Sequence, residues 1–497
     1  MEQDRATPAD ATESARARAF RRLLPGILLA AWPFVYFLPV VCAGVGPCLG
    51  LANDFPFLYY DYKPYLLDGL SRLRLPLWSP SEAAGFPFYS NPFAQAFYPL
   101  NLLLAVFYRL AGGYSALDHQ RFTVLGVSIL CTGLYAWLRS LALPTRAAVL
   151  ASAVLGVSFK VGEILRFPNA VHAAAWYPWI LWAITRVAQG ETLRRKLGAA
   201  AALAAFASCL LTAGYPYYIY YASFLVGPYL VVILVPRLAL WLEVPQPRRP
   251  LVDTGLLAAG GLAALLVCGP YLIKMLQLMD QTHDRGGGDF EYSTAYHFGP
   301  QDTLGSLIYP PAAQAEGWYY FSIAGLLLAA LHLAAGAARW PSRLFFVVWI
   351  GTISAITYGR DSPLFRLAWE LVPFFSRLRV WGRLNIVLVP ILAWLLARAW
   401  TDFERLEAAR ARRWLAWLIG IYAAVLATQL WLFLHGVEDP YWHDIFRNFS
   451  FLKSRYLGAG LAGFAALAML LAWVARGRIG PTGRWIASWY RLRTSSS

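Results

Sequence analysis

Residues 254–273 read TGLLAAGGLAALLVCGPYLI, twenty consecutive residues without a charged side chain. An α-helix rises about 1.5 Å per residue, so a helix of about twenty residues crosses the ~30 Å hydrocarbon core of a bilayer. Similar apolar runs recur along the chain of 497 residues, of which 59% are hydrophobic and only 14% charged. The composition excludes a soluble protein and predicts an all-α, polytopic membrane protein.

The apolar runs predict about twelve transmembrane helices. They cover residues 23–45, 121–141, 146–161, 171–187, 197–213, 217–237, 252–273, 319–338, 343–358, 383–400, 414–435 and 456–475. The segment FYPLNLLLAVFYRL, residues 97–110, is also apolar, but it is short and contains a proline near its start. We expect it to lie flat at the membrane interface as a juxtamembrane helix, and we do not count it as a crossing.

The distribution of charge supports this count. With the N-terminus in the cytoplasm, the cytoplasmic segments and the span ends beside them hold 26 of the 43 Lys and Arg residues, but only 10 of the 27 Asp and Glu residues. The whole net charge of +16 therefore faces the cytoplasm, as the positive-inside rule requires. Counting residues 97–110 as a span would invert every later loop. We therefore predict a bacterial inner (plasma) membrane protein with both termini in the cytoplasm, surrounded by membrane lipids and without a nucleic-acid partner.

This topology divides the chain into a cytoplasmic tail (1–22), a transmembrane domain (23–475) and a basic cytoplasmic C-terminal tail (476–497). The long outer loops cover residues 46–120, 274–318, 359–382 and 436–455. Loops of this length are typically functional or folded into a cap, whereas the inner connections are mostly short. The sequence therefore places any chemistry at the outer face.

The predicted spans carry almost no ionisable residue at their centres. Lys160, Glu163, Asp253 and Lys274 all lie near span ends. A charge at the bilayer centre costs about 2.5–3.5 kcal/mol even on the most lenient scale, and ion-coupled carriers use such residues for coupling. The pattern disfavours a proton- or sodium-driven transporter.

The first outer loop is rich in candidate functional residues. Asp54 directly follows the first span, and Asp61, Lys63 and Asp68 come next. A carboxylate at the membrane boundary can reach both a lipid phosphate and an aqueous acceptor. Aromatic side chains of the loop, among them Tyr59, Tyr60, Trp78 and Tyr98, could stack on a sugar, with interfacial anchoring as the alternative role.

Four ordered blocks of sequence carry a family resemblance. The blocks are the first loop from Asp54 through LPLWSP (75–80), GFPFYSNP (85–92) and FYPLN (97–101); AAAWYPWILWAITR (173–186); TLGSLIYPP (303–311); and LVPFFSRLRVWGRL (371–384). Together they resemble the YfhO-like bacterial membrane proteins, which belong to the GT-C class of glycosyltransferases. This chain departs from the family pattern at Phe93, where Gln is common after the Asn-Pro pair, and at Gly382, where Pro is common.

The resemblance implies a sugar donor linked to polyprenyl phosphate, used on the outer leaflet, with an acidic residue after the first span as the catalytic base. Asp54 matches that position. Guanidinium groups bind phosphate oxygens through paired hydrogen bonds, so Arg379 and Arg383 of the last block suit the leaving phosphate. Anchoring of a span is the alternative role for these two arginines. The complete set of predicted substrate-binding residues is Asp61, Lys63, Trp78, Asn91, Gln95, Tyr98, Lys274, Arg379 and Arg383.

The segment QTHDRGGGDFEYSTAYHFGP, residues 281–300, combines three consecutive glycines with histidines and carboxylates. Three glycines give the backbone unusual freedom, which favours a flap over a site. The His, Asp and Glu side chains could bind a divalent cation, although they lack a recognised ligand spacing.

The sequence therefore predicts an inverting membrane glycosyltransferase that moves a sugar from a polyprenyl-phosphate donor to an envelope glycan, lipid or protein. The main alternative is a transporter or flippase of a lipid-linked glycan, without catalysis. A third reading is a membrane scaffold whose outer loops only bind partners.

Overall fold

The computed structural model describes residues 8–42, 51, 54–82, 84–281, 289–295, 297, 321–335 and 339–434. Within these ranges the secondary structure is helical, apart from a single antiparallel bridge between Ser79 and Phe86. The predicted all-α class is confirmed. The last predicted span, residues 456–475, lies outside the described residues.

Seven helices in the described part of the chain are long and apolar enough to cross a membrane. They are Ala116–Ser140, Thr145–Arg166, Leu193–Thr212, Pro216–Leu234, Pro250–Asp280, Trp340–Thr357 and Trp381–Arg405. The predicted spans at 23–45 and 319–338 correspond to shorter apolar helices, Leu23–Tyr36 and Gly325–Ala334. The chain is thus a multi-pass membrane protein, and the count of twelve spans stays a prediction.

The chain folds as two compact units. Unit 1 comprises the described residues within 1–157, 164–219 and 247–272, and unit 2 comprises those within 158–163, 220–246 and 273–497. The helices that begin in unit 1 are α1 Pro8–Tyr36, α2 Leu38–Val41, α3 Tyr62–Ser71, α4 Leu100–Ala111, α5 Ala116–Ser140, α6 Thr145–Gly156, α8 Pro168–Ala175, α9 Tyr177–Gln189, α10 Leu193–Thr212, α11 Pro216–Tyr221 and α14 Pro250–Asp280. The helices of unit 2 are α7 Phe159–Glu163, α12 Ser223–Leu234, α13 Pro236–Trp241, α15 Phe290–Thr294, α16 Ile323–Ala335, α17 Trp340–Thr357, α18 Pro363–Leu371, α19 Leu388–Arg405 and α20 Ala408–Leu434.

Helix α5 forms the centre of unit 1 and packs against α1, α6, α8 and α9. Small residues allow this close packing. A Cβ atom on Gly133 would stand only 2.7 Å from the Trp179 ring, so the absence of a side chain lets α9 approach. The Trp179 indole also donates to the Ile129 carbonyl at 2.9 Å. The predicted span 171–187 is broken at Trp176, where α8 ends and α9 begins.

The predicted first outer loop contains a folded cap, which we define as the described residues between 54 and 115. Its core contains the fully buried side chains of Leu66, Leu67 and Phe88, with Tyr62 and Tyr114 beside them. Helix α4 packs against α3, consistent with the juxtamembrane helix predicted at 97–110. Its twelve residues span about 18 Å, too short to cross the hydrocarbon core. Apart from Arg109, its exposed large side chains are apolar: Leu102, Leu103, Val106, Phe107 and Leu110.

Unit 2 is organised around α19. Every side chain of this helix from Leu388 to Ala397 is buried, as expected for a helix surrounded by others. Its Trp394 ring packs against Phe346 and Tyr229, with ring centroids 5.0 and 6.2 Å away. At the end of α19, Asp402 hydrogen-bonds His332 of α16 at 2.7 Å.

Polar contacts between helices join residues that the topology places on the same side. In unit 1, Lys196 pairs with Asp253 at the predicted cytoplasmic ends of α10 and α14. In unit 2, Arg398 and Glu243 form an ion pair of 2.7 Å at predicted cytoplasmic ends. The order of the spans and the side that faces the cytoplasm stay predictions.

Cysteine labelling tests the sidedness. In a background without native cysteines, we expect a membrane-impermeant maleimide to label Asp68→Cys only from outside and Gln246→Cys only from inside. Both positions are at least partly exposed, and a permeant maleimide that labels both is the control. Labelling of the two from one side would show that the span count is wrong. Gly287 and Asp439, also predicted outside, lie beyond the described residues.

Candidate functional site

Asp54 lies at the start of the cap, on a firmly anchored piece of backbone. It precedes the π-helical segment Phe55–Tyr60, in which Phe55 and Tyr59 are each only 2% exposed. The Phe55 ring packs against His119 of α5 at 5.2 Å, and the Tyr59 ring packs against Phe93 at 5.4 Å. The Asp54 carboxylate is half-buried and makes no hydrogen bond or ion pair with the described residues. A fixed backbone therefore presents a carboxylate that is not used elsewhere in this part of the fold.

The other acidic residues of the first outer loop are engaged or exposed. Asp61 is exposed, and Asp68 pairs with Arg72 at 2.9 Å on the surface. Glu82 accepts a hydrogen bond of 2.9 Å from the Tyr62 hydroxyl. Asp118 closes a capping box at the start of α5. Asp54 alone among the five combines partial burial with an unpaired side chain in the described structure.

Lys63 lies at the centre of a buried polar network in the cap. Its side chain is fully buried and donates to Gln95 Oε1 at 2.7 Å and to Asn101 Oδ1 at 3.2 Å. The ammonium group also stands 5.7 Å from the centroid of the Phe122 ring. Both hydrogen-bonding partners are neutral, so burial lowers the pKa of Lys63 from 10.5 to about 7. Direct contact of Lys63 with a substrate would require this network to open, and it stays a prediction.

The network fastens the cap to two helix junctions. Gln95, whose φ of 54° places it in the left-handed region, donates from Nε2 to the Ala213 carbonyl at 2.6 Å. Asn169 of α8 donates to the Phe93 carbonyl at 3.1 Å and to the Gly214 carbonyl at 3.2 Å. Because both amides are buried, losing these bonds would leave polar groups without water or a partner. The cap is therefore held against the ends of α8 and α10.

Tyr98 belongs to a second buried chain of hydrogen bonds. The Trp176 indole can only donate, so the Tyr98 hydroxyl accepts from it at 3.0 Å and donates its own proton to His172 Nδ1 at 3.0 Å. The His172 Nε2–H then donates to the Phe122 carbonyl at 2.9 Å. This order of donors assigns His172 as the neutral tautomer with its proton on Nε2.

The predicted site residues of the first loop thus fall into two groups. Lys63, Gln95 and Tyr98 are buried and hold the cap together, whereas Asp61 and Trp78 lie on its surface. Asn91 is half-buried, and its side chain accepts from the Phe93 N–H at 3.0 Å in a tight turn. The sequence reasoning missed Asn101, Asn169 and His172. The signal that could have found them is a lone polar residue within an otherwise apolar run.

Replacement of Lys63 by methionine should change the pH dependence of stability. Between pH values of about 7 and 10.5 the unfolded lysine is protonated and the folded one is not, so unfolding takes up a proton. The wild type should therefore gain thermal stability as the pH rises through this window, with no further change in the Lys63 contribution below about pH 7. Lys63→Met should lose that gain, and the exposed Lys274→Met is the control. Melting temperatures between pH 6 and 10 measure this gain. If the melting temperatures of the wild type and Lys63→Met change in parallel with pH, the prediction is wrong.

In unit 2, Arg379 and Arg383 flank a strained residue. Val380 has a φ of 62°, and a β-branched residue in this left-handed region costs about 1–3 kcal/mol. Two hydrogen bonds hold it there: its N–H donates to the Ala295 carbonyl at 3.2 Å, and its own carbonyl accepts from the Tyr221 hydroxyl at 3.2 Å. The packing beside it is tight, since Phe375 and Trp381 stack with centroids 3.7 Å apart.

Both arginines lie next to this strained turn. Arg379 is half-buried, with its guanidinium 5.4 Å from the centroid of the Tyr292 ring. Arg383 is half-buried in the 3-10 segment Trp381–Val387, which leads into α19. Arg379 forms no ion pair with the described residues, whereas nearby Arg377 pairs with Asp280 at 2.8 Å. Lys274 is exposed on α14 and bonds the Gln277 side chain at 3.1 Å.

The predicted cation-binding segment is described only at Gln281, at residues 289–295 and at His297. There Asp289 caps α15, and His297 stands 3.4 Å from Asp361. The described residues contain no group of three His, Cys, Asp or Glu side chains arranged to hold a metal ion. The rest of the segment lies outside the described residues, so a divalent cation there stays a prediction.

Comparisons with known proteins give a structural likeness of low similarity. No family model and no curated protein sequence matches the chain. Among solved structures, the crystal structure of ArnT from Cupriavidus metallidurans bound to undecaprenyl phosphate aligns with a TM-score of 0.49 and 14% identity. The alignment covers 91% of this chain and 73% of that chain. At this level of similarity the likeness adds no weight to any function, which has to be argued from the residues.

Proposed function

We propose that this protein is a membrane glycosyltransferase that transfers a sugar from a polyprenyl-phosphate donor to an envelope acceptor on the outer leaflet. The main support for the proposal is the partial burial of Asp54 and its lack of a partner among the described residues. Among the five acidic residues of the first outer loop, it alone is half-buried and unpaired in the described structure. It also follows the first predicted span directly, where a carboxylate meets both lipid headgroups and water.

The proposed reaction is a single displacement. The acceptor hydroxyl oxygen attacks the anomeric carbon while Asp54 takes the hydroxyl proton. The bond between the anomeric carbon and the phosphate oxygen breaks, and polyprenyl phosphate leaves with the electron pair. Attack from the face opposite the leaving group inverts the anomeric centre. The cap contributes by holding the Asp54 backbone rigidly, through Phe55, Tyr59 and the network around Lys63.

Arg379 and Arg383 are the proposed partners of the leaving phosphate. A planar guanidinium binds two phosphate oxygens at once, and the strained turn at Val380 fixes the backbone between the two arginines. Strain of this kind is costly and often accompanies function. Interfacial anchoring by the arginines is the alternative, which the next experiment separates.

Arg383→Lys should weaken binding of the donor phosphate about tenfold while the protein still inserts and folds, because lysine keeps the charge but loses the two-pronged geometry. Isothermal titration of the detergent-purified protein with a short-chain polyprenyl phosphate measures this. Arg366→Lys, an exposed arginine paired with Glu370, is the control and should bind like the wild type. Unchanged affinity in both Arg379→Lys and Arg383→Lys would assign these residues to anchoring.

Transfer and transport make different predictions for the same donor. Detergent-purified protein should move label from a synthetic polyprenyl-phosphate-linked sugar, labelled in the sugar, to an acceptor in a membrane lipid extract. In detergent, a flippase would leave the label on the polyprenyl donor. In liposomes, it would only move the donor between leaflets, which is seen as a change in the fraction of the sugar that membrane-impermeant periodate can oxidise. Leaflet exchange without transfer would reject the proposed function in favour of the transporter.

A further inference from the structure

A basic cleft lies in unit 1 at the predicted cytoplasmic ends of α9 and α10, away from the cap. It has a volume of about 400 Å³, and its lining includes Trp182, Arg186, Glu191 and Arg195. The short turn between the two helices forms its floor, and Gly190 in that turn is buried. Nothing in the proposed transfer reaction uses this cleft.

Positive charge exceeds negative charge around the cleft. Glu191 is the only acidic residue in the lining, and two guanidiniums share it, Arg195 at 3.2 Å and Arg248 at 3.4 Å. Arg186 has a neutral partner instead, since its guanidinium donates to Gln189 Oε1 at 3.3 Å. Two guanidiniums, those of Arg186 and Arg195, thus line the cleft with one carboxylate, and Arg248 beside the cleft also pairs with that carboxylate. The excess of positive charge favours an anion.

The surroundings of the cleft are those of a membrane interface. Leu193 and Leu197 on α10 are 55% and 50% exposed, and Leu251 at the start of α14 is 91% exposed. The Arg186 guanidinium lies 6.0 Å from the centroid of the Trp182 ring, and tryptophan is typical of headgroup depth. A soluble anion would leave the leucines exposed, whereas a phospholipid covers them with its acyl chains while its phosphate enters the cleft.

We propose that this cleft binds the phosphate headgroup of an anionic phospholipid in the cytoplasmic leaflet. Basic pockets between transmembrane helices on the cytoplasmic side are suited to such headgroups, because guanidiniums pair with the phosphate and the bilayer supplies the anion at high local concentration. Arg186 and Arg195 are the primary contacts, and Glu191 keeps Arg195 in place when the lipid is absent.

Native mass spectrometry of the full-length protein tests this site. Wild-type protein in detergent should retain added phosphatidylglycerol about tenfold better than phosphatidylcholine of the same chain length. The double variant Arg186→Gln/Arg195→Gln should lose that preference. The matched control is Arg366→Gln, because Arg366 is also exposed and also pairs with a glutamate four residues away. The control should keep the wild-type preference.

Several outcomes would overturn the proposal. Equal retention of the two lipids by the wild type would mean that no headgroup is selected, and an unchanged preference in the double variant would place the lipid elsewhere. Displacement of the lipid by millimolar inorganic phosphate would identify a soluble anion as the ligand. If the double variant aggregates, Arg186→Gln alone decides the matter, since this exposed side chain contributes no buried contact. Arg186→Lys/Arg195→Lys should bind the lipid more weakly than the wild type but still prefer phosphatidylglycerol, because lysine keeps the charge and loses the two-pronged geometry.

Discussion

Gly214→Ala is expected to destabilise the cap so strongly that little folded protein can be purified. Gly214 has a φ of +76°, a conformation that costs an alanine about 1–2 kcal/mol. An added Cβ would also collide with the Pro92 carbonyl oxygen and stand 2.8 Å from both Asn169 Nδ2 and Gln95 Cγ. These three residues take part in the buried hydrogen bonds that fasten the cap, so relieving the collision would disrupt those bonds. The combined cost should reach roughly 4 kcal/mol or more.

A second glycine of unit 1 provides the control for backbone strain. Gly112 has nearly the same φ, +72°, but no atom stands within 4 Å of its ideal Cβ position. Gly112→Ala should therefore lower the free energy of unfolding only by the cost of placing alanine in the left-handed conformation, about 1–2 kcal/mol. Thermal unfolding of both variants, together with their yields after size-exclusion chromatography, measures the difference. Equal destabilisation would show that the contacts around Gly214 do not hold the cap.

The helical architecture could be predicted from the sequence because, in a bilayer, the length and apolarity of a segment are enough to identify a transmembrane helix. A run such as 254–273 has only one favourable structure in hydrocarbon, a helix with all of its backbone hydrogen bonds satisfied internally. The short helix α4 could be predicted in the same way, because its twelve residues are too few to cross the hydrocarbon core. The break at Trp176 could not be predicted, because it depends on the packing of α8 and α9 against α5, which periodicity does not encode.

The candidate site was predictable only in part, because one-dimensional position does not reveal burial. Lys63 and Asp61 are two residues apart and equally polar, yet Lys63 is fully buried and Asp61 is exposed. The difference arises from Gln95 and Asn101, which lie more than thirty residues away and fold back over the lysine. Similarly, the strain at Val380 depends on hydrogen bonds to Ala295 and Tyr221, which are distant in sequence.

Asp54→Asn is expected to lower turnover by about a hundredfold or more while leaving the donor bound. Asparagine keeps the size of the side chain but cannot accept the proton of the acceptor hydroxyl. The substitution should not unfold the protein, because the Asp54 carboxylate makes no hydrogen bond or ion pair with the described residues. Asp61→Asn is the matched control seven residues along the loop, where an exposed carboxylate should be nearly dispensable.

The most direct test of Asp54 as the base is the rate at which labelled sugar leaves a synthetic polyprenyl-phosphate donor, measured for the wild type, Asp54→Asn and Asp61→Asn beside donor binding on the same preparations. The proposed mechanism predicts transfer by the wild type and by Asp61→Asn, a rate lower by about a hundredfold or more in Asp54→Asn, and equal donor affinity in all three. Full transfer by Asp54→Asn with an inactive Asp61→Asn would assign the base to Asp61. Full transfer by both variants would contradict a mechanism based on the first outer loop.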